Sequence, residues 1–188
     1  MIKCISCDKF SFNLICKEWQ KNLLKPSFLK KELTKDFFVY SFYQYEEIKQ
    51  FINSKYYFFG DRIFNILAKL SFKQFSKNFY FQNKVYAIPI DDHTRHNFSH
   101  TAILAKHLQS DIIEVQYNTL KATNIVKYAG HNLSFRQSHK RDFIYKGKSN
   151  IQIILVDDLI TSGSTILEAK EILEKNNCEV LFALTLAG

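Results

Sequence analysis

The sequence has little glycine and proline, five and two in 188 residues. Nowhere does it approach the ~18 consecutive apolar residues that a membrane-spanning helix needs. It holds no internal repeat and no low-complexity linker, so solenoid and multi-module arrangements are not expected. Met1 to Lys9 place Cys, Asp and Lys early and show no apolar h-region. No secretory signal is visible there, and a cytoplasmic location is expected. In that compartment the four cysteines, Cys4, Cys7, Cys16 and Cys178, are not expected to pair as disulfides.

Hydrophobic residues make up 46% of the chain, enough for a core without staples, and the length suits one ordinary domain with a small attachment. The formal charge of +8 attracts phosphates at long range and so admits a nucleic-acid partner. Abundant Phe, Tyr, Lys, Asn and Ile beside scarce Gly and Pro are also what an A/T-rich genome imposes on any protein. Charge alone therefore does not decide for DNA.

Along the chain, residues 1–30 read as a small cysteine-bearing module and 31–188 as the main domain. A charged connection, Lys30 to Asp36, leads to an aromatic strand, Phe37 to Tyr45. From Glu46 to Phe79 the pattern is mostly helical, with Ile63, Ile66, Leu67 and Leu70 at helical spacing. Then strands and helices alternate: a strand at 85–90, a helix at 101–108, a strand at 112–115, a strand at 151–156, a helix at 164–175 and a closing strand at 180–186. Residues 117–149 read as a polar, basic loop or hairpin. This alternation predicts an α/β fold with a largely parallel, twisted sheet flanked by helices. Ligands of such sheets bind beyond the carboxyl ends of the strands.

One of those ends carries unusual chemistry. Ile153, Ile154, Leu155 and Val156 form a continuous apolar run, as in a strand buried on both faces. Asp157 and Asp158 follow at once, and unpaired buried charge is too costly for a mere packing role. Thr161, Ser162, Gly163, Ser164 and Thr165 then offer four hydroxyls and one residue without a Cβ. The helix start behind them is an anion site by its unpaired N–H groups and dipole. No lysine follows the glycine, which argues against a Walker-type nucleotide loop.

This run resembles the signature of type I phosphoribosyltransferases: four apolar residues, two acids, then a Thr/Ser-Gly-x-Thr loop. The resemblance implies a type I phosphoribosyltransferase-like fold that binds phosphoribosyl pyrophosphate. Asp157 and Asp158 would hold the ribose 2- and 3-hydroxyls, Thr161 to Thr165 would cradle the 5-phosphate, and Mg2+ would accompany the pyrophosphate. The order of parts over the whole chain resembles the ComF family, competence proteins of naturally transformable bacteria. Pro89, Arg95, Phe98 and the helix after them keep that family's frame, as do Leu133, Arg136 and Phe143. Ser99 and His100 stand where Asn-Gln is usual, and Tyr128 and His139 also depart. The resemblance implies a role in DNA uptake beside the inner-membrane machinery, with single-stranded DNA as partner. An active transferase acting on a nucleobase or another nucleophile is the alternative.

The family's four-cysteine zinc finger is incomplete here, because Trp19 occupies the place of the fourth ligand. Cys4, Cys7 and Cys16 thus have two readings: a Zn2+ site completed from elsewhere, or reduced thiols in a small apolar knot. Lys121, Lys127, Arg136, Lys140, Arg141, Lys146 and Lys148 have Tyr128, Phe135, Phe143 and Tyr145 among them, a pattern that suits single-stranded DNA. Of these, Arg136, Lys140 and Arg141 are the candidate contacts; a catalytic hood or a solvated loop are the other readings. His93, His96, His100, His131 and His139 flank the ligand edge, as acid–base groups or as solvated surface. Asp91 and Asp92 have two readings, a contact with Mg2+ or simply the end of a strand, and the second is preferred.

Overall fold

The structure is a computed structural model that describes residues 1–90, 98–124 and 141–188. A six-stranded sheet runs through its centre. In chain order its strands are β3 (Leu29–Thr34), β4 (Phe37–Tyr43), β5 (Val85–Pro89), β6 (Ile113–Val115), β9 (Gln152–Leu159) and β10 (Glu179–Ala187). Their spatial order is β3-β4-β10-β9-β5-β6. Every pairing is parallel except that of β3 with β4, which is antiparallel. The expected α/β fold with a largely parallel sheet is present.

Helices cover one face: α2 (Tyr45–Ile52), α3 (Gly60–Leu70), α4 (Phe72–Asn78) and α5 (His100–Lys106). The opposite face is covered by α6 (Ser164–Lys175) and by a two-stranded antiparallel hairpin of β7 (Leu120–Ala122) and β8 (Phe143–Tyr145). Successive side chains of β9 alternate between these layers. Ile154 and Val156 join the core under α2–α5, while Ile153 and Leu155 join the core under α6. All four are fully buried, which is why this strand reads as an unbroken apolar run. β10 behaves alike, with Leu184 and Leu186 on one side and Ala183 on the other. Ser41 of β4 and Thr185 of β10 share a buried hydroxyl–hydroxyl bond of 2.7 Å across their strands, so neither polar group is orphaned.

Two segments differ from the sequence reading. Lys30 to Asp36 is no mere connection: Leu29–Thr34 is the edge strand β3, joined to β4 through Asp36 at φ 64°. Its middle residues Lys30, Lys31 and Glu32 are exposed, as expected of a charged, protected sheet edge. The strand around the aspartates also extends further than expected, to Leu159. Within 117–149, the pairing of β7 with β8 makes a hairpin of the described ends.

The N-terminal residues form a short ribbon of β1 (Ile2–Lys3) and β2 (Phe10–Ser11), followed by α1 (Lys17–Leu23). This part packs on the main domain. Ile15 and Leu24 belong to the core under α2–α5, and Trp19 lies against it. The Tyr43 hydroxyl donates to the Leu24 carbonyl at 3.2 Å. Among the described residues no helix is long and apolar enough to cross a membrane.

Candidate functional site: an acidic pair and a glycine loop at the sheet edge

β9 delivers Asp157 and Asp158 to the carboxyl edge of the sheet beside the end of β5, where the Ile90 N–H donates to the Val156 carbonyl at 2.8 Å. The two carboxylates stay close enough to act on each other. Asp158 is buried and Asp157 half-buried. The Asp158 N–H donates to Asp157 Oδ1 at 2.8 Å.

Asp158 meets a lysine and a histidine. Lys55 Nζ, in the 3-10 turn Asn53–Tyr56 that follows α2, donates to Asp158 Oδ2 at 2.7 Å. His100 Nε2, from the first residue of α5, lies 3.6 Å from the same oxygen. Burial pushes the Asp158 carboxyl up, but Lys55 and His100 outweigh it and hold the group well below the usual carboxylate range. Burial also opposes the charge on Lys55, and Asp158 more than restores it, so the ammonium sits above its ordinary value. Asp157 goes the other way: burial and then the Asp158 charge drive it well above the usual range, against the pull of Arg141. The pair thus divides into one firmly ionised carboxylate and one that holds a proton more readily.

The loop beyond the pair is shaped by its glycine. Gly163 has φ 84° and ψ 0°, left-handed backbone that non-glycine residues disfavour, and it is the cap residue of α6. Its α-carbon faces Leu33 of β3, whose methyl carbons lie 2.6 Å from where a Cβ would stand. Lys31, also on β3, donates to the Thr161 carbonyl at 2.7 Å. The edge strand therefore fixes the loop at both points. The Ser162 and Ser164 hydroxyls bond each other at 2.8 Å, and the Leu167 N–H closes the first helical turn onto the Gly163 carbonyl at 2.9 Å. The first N–H groups of α6 have no intrahelical acceptor and point out of its start, a cradle for an anion.

The hairpin is tied to the same helix. Glu168 of α6 accepts from the backbone N–H of Arg141 at 3.1 Å and of Asp142 at 2.8 Å. This places Arg141 where its charge acts on Asp157. Arg136 and Lys140, the other two candidate DNA contacts, lie outside the described residues, as do Asp91, Asp92, Arg95, His93, His96, His131 and His139. Sequence reasoning singled out neither Lys55 nor Lys31. Lys55 meets its partner across 103 positions, and no local pattern reports such a contact.

A second cluster lies in the N-terminal ribbon. The Sγ atoms of Cys4, Cys7 and Cys16 lie within 4.8 Å of one another. The Cys7 and Cys16 sulfurs are 3.7 Å apart, against about 3.8 Å for two thiolates on a tetrahedral zinc with bonds near 2.3 Å. Cys4 Sγ accepts the Cys16 N–H at 3.2 Å. Burial raises the Cys4 thiol, yet the backbone N–H groups of Cys16, Ser6 and Cys7 overcome it and bring it to about 7. Three sulfurs so placed could hold a metal ion, with a position left for another ligand. Trp19 cannot supply it and instead packs on the core.

At the far end of the sheet, where β5, β9 and β10 begin, a polar groove of about 550 Å³ is lined by residues including Asn83, Asn150 and Asn177. Lys84, Tyr86 and Glu179 also line it, and none of its lining residues belongs to the acidic pair.

No protein-family model matches the chain, and no curated protein matches it. Among solved structures, it is similar to a hypoxanthine phosphoribosyltransferase from Staphylococcus aureus. The two are 12% identical with a TM-score of 0.39, over 65% of this chain and 61% of that one. The match thus spans less than two thirds of that enzyme's length.

Proposed function

We propose that the chain binds phosphoribosyl pyrophosphate at the β9–α6 edge. One observation carries this reading: a pair of carboxylates ends a buried parallel strand and is followed by a left-handed glycine at a helix start. Asp157 and Asp158 accept bonds from the ribose 2- and 3-hydroxyls. Thr161, Ser162, Ser164 and Thr165 hold the 5-phosphate against the α6 N–H groups, and Gly163 keeps the backbone close to it. Mg2+ accompanies the pyrophosphate, whose charge it offsets.

The role we assign is that of a ComF-like protein of natural transformation, working in the cytoplasm beside the inner-membrane DNA-uptake machinery and handling single-stranded DNA. Residues 1–30 act as its cysteine-bearing module and hold Zn2+ through Cys4, Cys7 and Cys16. DNA contact falls to the basic segment with Arg136, Lys140 and Arg141. A gel shift on single strands should weaken with salt and on Arg136→Ala with Lys140→Ala; binding unaffected by either would remove DNA from the role.

A second reading, an active transferase, has one observation in its favour. Tyr57 and Phe58 stand 56% and 80% exposed in the chain segment directly after Lys55, offering aromatic surface to a planar acceptor. In that reaction the acceptor's lone pair bonds to the ribose C1 as the C1–O bond breaks. Pyrophosphate leaves with the electron pair, and the acceptor gives up a proton. Pyrophosphate release assayed across nucleobases separates the readings, since turnover with any of them makes the protein an enzyme.

A further inference from the structure

We propose that Lys55 is the resident cation of the acidic pair: its ammonium holds Asp158 ready for a ribose diol and takes the place that a divalent ion would occupy on that carboxylate. The inference rests on the ribose-phosphate reading above and adds to it a specific division of labour. Any metal ion then enters on the ligand's pyrophosphate and not on the aspartates.

The geometry points there in three ways. First, the contested oxygen is taken. Asp158 Oδ2 accepts from Lys55 Nζ at 2.7 Å and has His100 Nε2 at 3.6 Å, whereas Mg2+ demands a bond of about 2.1 Å within a near-octahedral shell. Two cations cannot share that approach without strong repulsion. Second, the charges already balance. The side chains of Lys55 and Asp158 are only 20% and 9% exposed, so little water screens their attraction. Asp157, the neighbour that would complete a metal's carboxylate set, is drawn towards its neutral form by burial and the Asp158 charge, and the Arg141 charge already acts on it.

Third, the lysine is presented by a fixed turn. The Ser54 hydroxyl donates to the Phe51 carbonyl at 2.6 Å. Gly60 lets the start of α3 press so close that a Cβ there would stand 2.2 Å from the Ser54 carbonyl oxygen. Lys55 thus leaves a rigid corner with three N–H donors. A diol arriving at Asp158 finds a carboxylate oriented by one of them and an ammonium beside it for the ligand's own oxygens.

Ribose 5-phosphate is the probe that isolates this claim, because it has the diol and the 5-phosphate but no pyrophosphate to carry a metal. Calorimetry should show it binding the full chain equally well in EDTA and in Mg2+. Lys55→Met should weaken it roughly ten- to hundredfold, the loss of one charge-assisted bond, while Lys55→Arg retains most of the affinity. The electron-spin-resonance signal of Mn2+ added to the protein without ligand should be the same for wild type and Asp158→Asn. Mg2+-dependent binding of ribose 5-phosphate would overturn the proposal, as would Mn2+ immobilised by wild type and released by Asp158→Asn. Undiminished affinity in Lys55→Met would do the same. If Lys55→Met does not fold, the wild-type metal arms and Lys55→Arg still decide. Failure of ribose 5-phosphate to bind wild type in either buffer would instead overturn the ribose-phosphate reading itself.

Discussion

Replacing Gly163 by alanine tests the loop through stability alone. At φ 84° an alanine pays for left-handed backbone, about 1–2 kcal/mol. The new methyl would also lie 2.6 Å from both Leu33 methyl carbons, an overpacking that costs about 1–2 kcal/mol after Leu33 turns aside. Together the change destabilises the fold by about 2–4 kcal/mol. For a chain of this size that lowers Tm by about 5–15 °C, measured by circular dichroism on heating. Leu33→Ala in the same chain should recover the steric share and leave the backbone share, a coupling of about 1 kcal/mol or more. A Gly163→Ala protein melting within 2 °C of wild type would refute the account, because neither the left-handed turn nor the Leu33 contact would then exist as described.

Three further outcomes follow from the same geometry. Glu168→Gln keeps the shape but weakens two charge-assisted bonds to the Arg141 and Asp142 N–H groups; amide exchange at those two residues should quicken by about tenfold, and unchanged protection would show that the hairpin is held some other way. Thiolate absorbance at 240 nm should show a step near pH 7 that disappears in Cys4→Ser, since Cys4 is lowered to about 7 from the ordinary 9.0. The sign of the linked stability is fixed: the folded thiol releases its proton earlier than the unfolded one, so metal-free stability rises between pH 7 and 9 and that gain is lost below 7. Added zinc should raise Tm, and Cys7→Ser should abolish the rise; an equal rise in that variant would place the metal elsewhere.

The site was legible in the sequence to the extent that its chemistry is contiguous. Ile153 to Val156 are buried on both faces, so their apolar run announces a central strand, and the acids, hydroxyls and glycine after them lie on one loop. The edge strand β3 was not legible. Lys30, Lys31 and Glu32 face solvent, and only Leu29 and Leu33 are partly covered, so the segment lacks the alternation of a half-buried strand. Yet that strand supplies Lys31 to the Thr161 carbonyl and Leu33 to Gly163. Lys55 escaped for a related reason: a lone lysine among aromatics looks like any solvated cation until the fold brings Asp158 to it. Trp19 was read as a missing ligand, and its place against the core shows the packing it serves instead.

In the proposed function the acidic pair and the glycine loop make one phosphoribosyl site. Titration calorimetry of phosphoribosyl pyrophosphate into the full chain, with Mg2+ present, tests it most directly. Wild type should bind saturably, and the double variant Asp157→Asn with Asp158→Asn, whose folding is checked by its circular dichroism, should not bind. Equal binding by a folded double variant would contradict it.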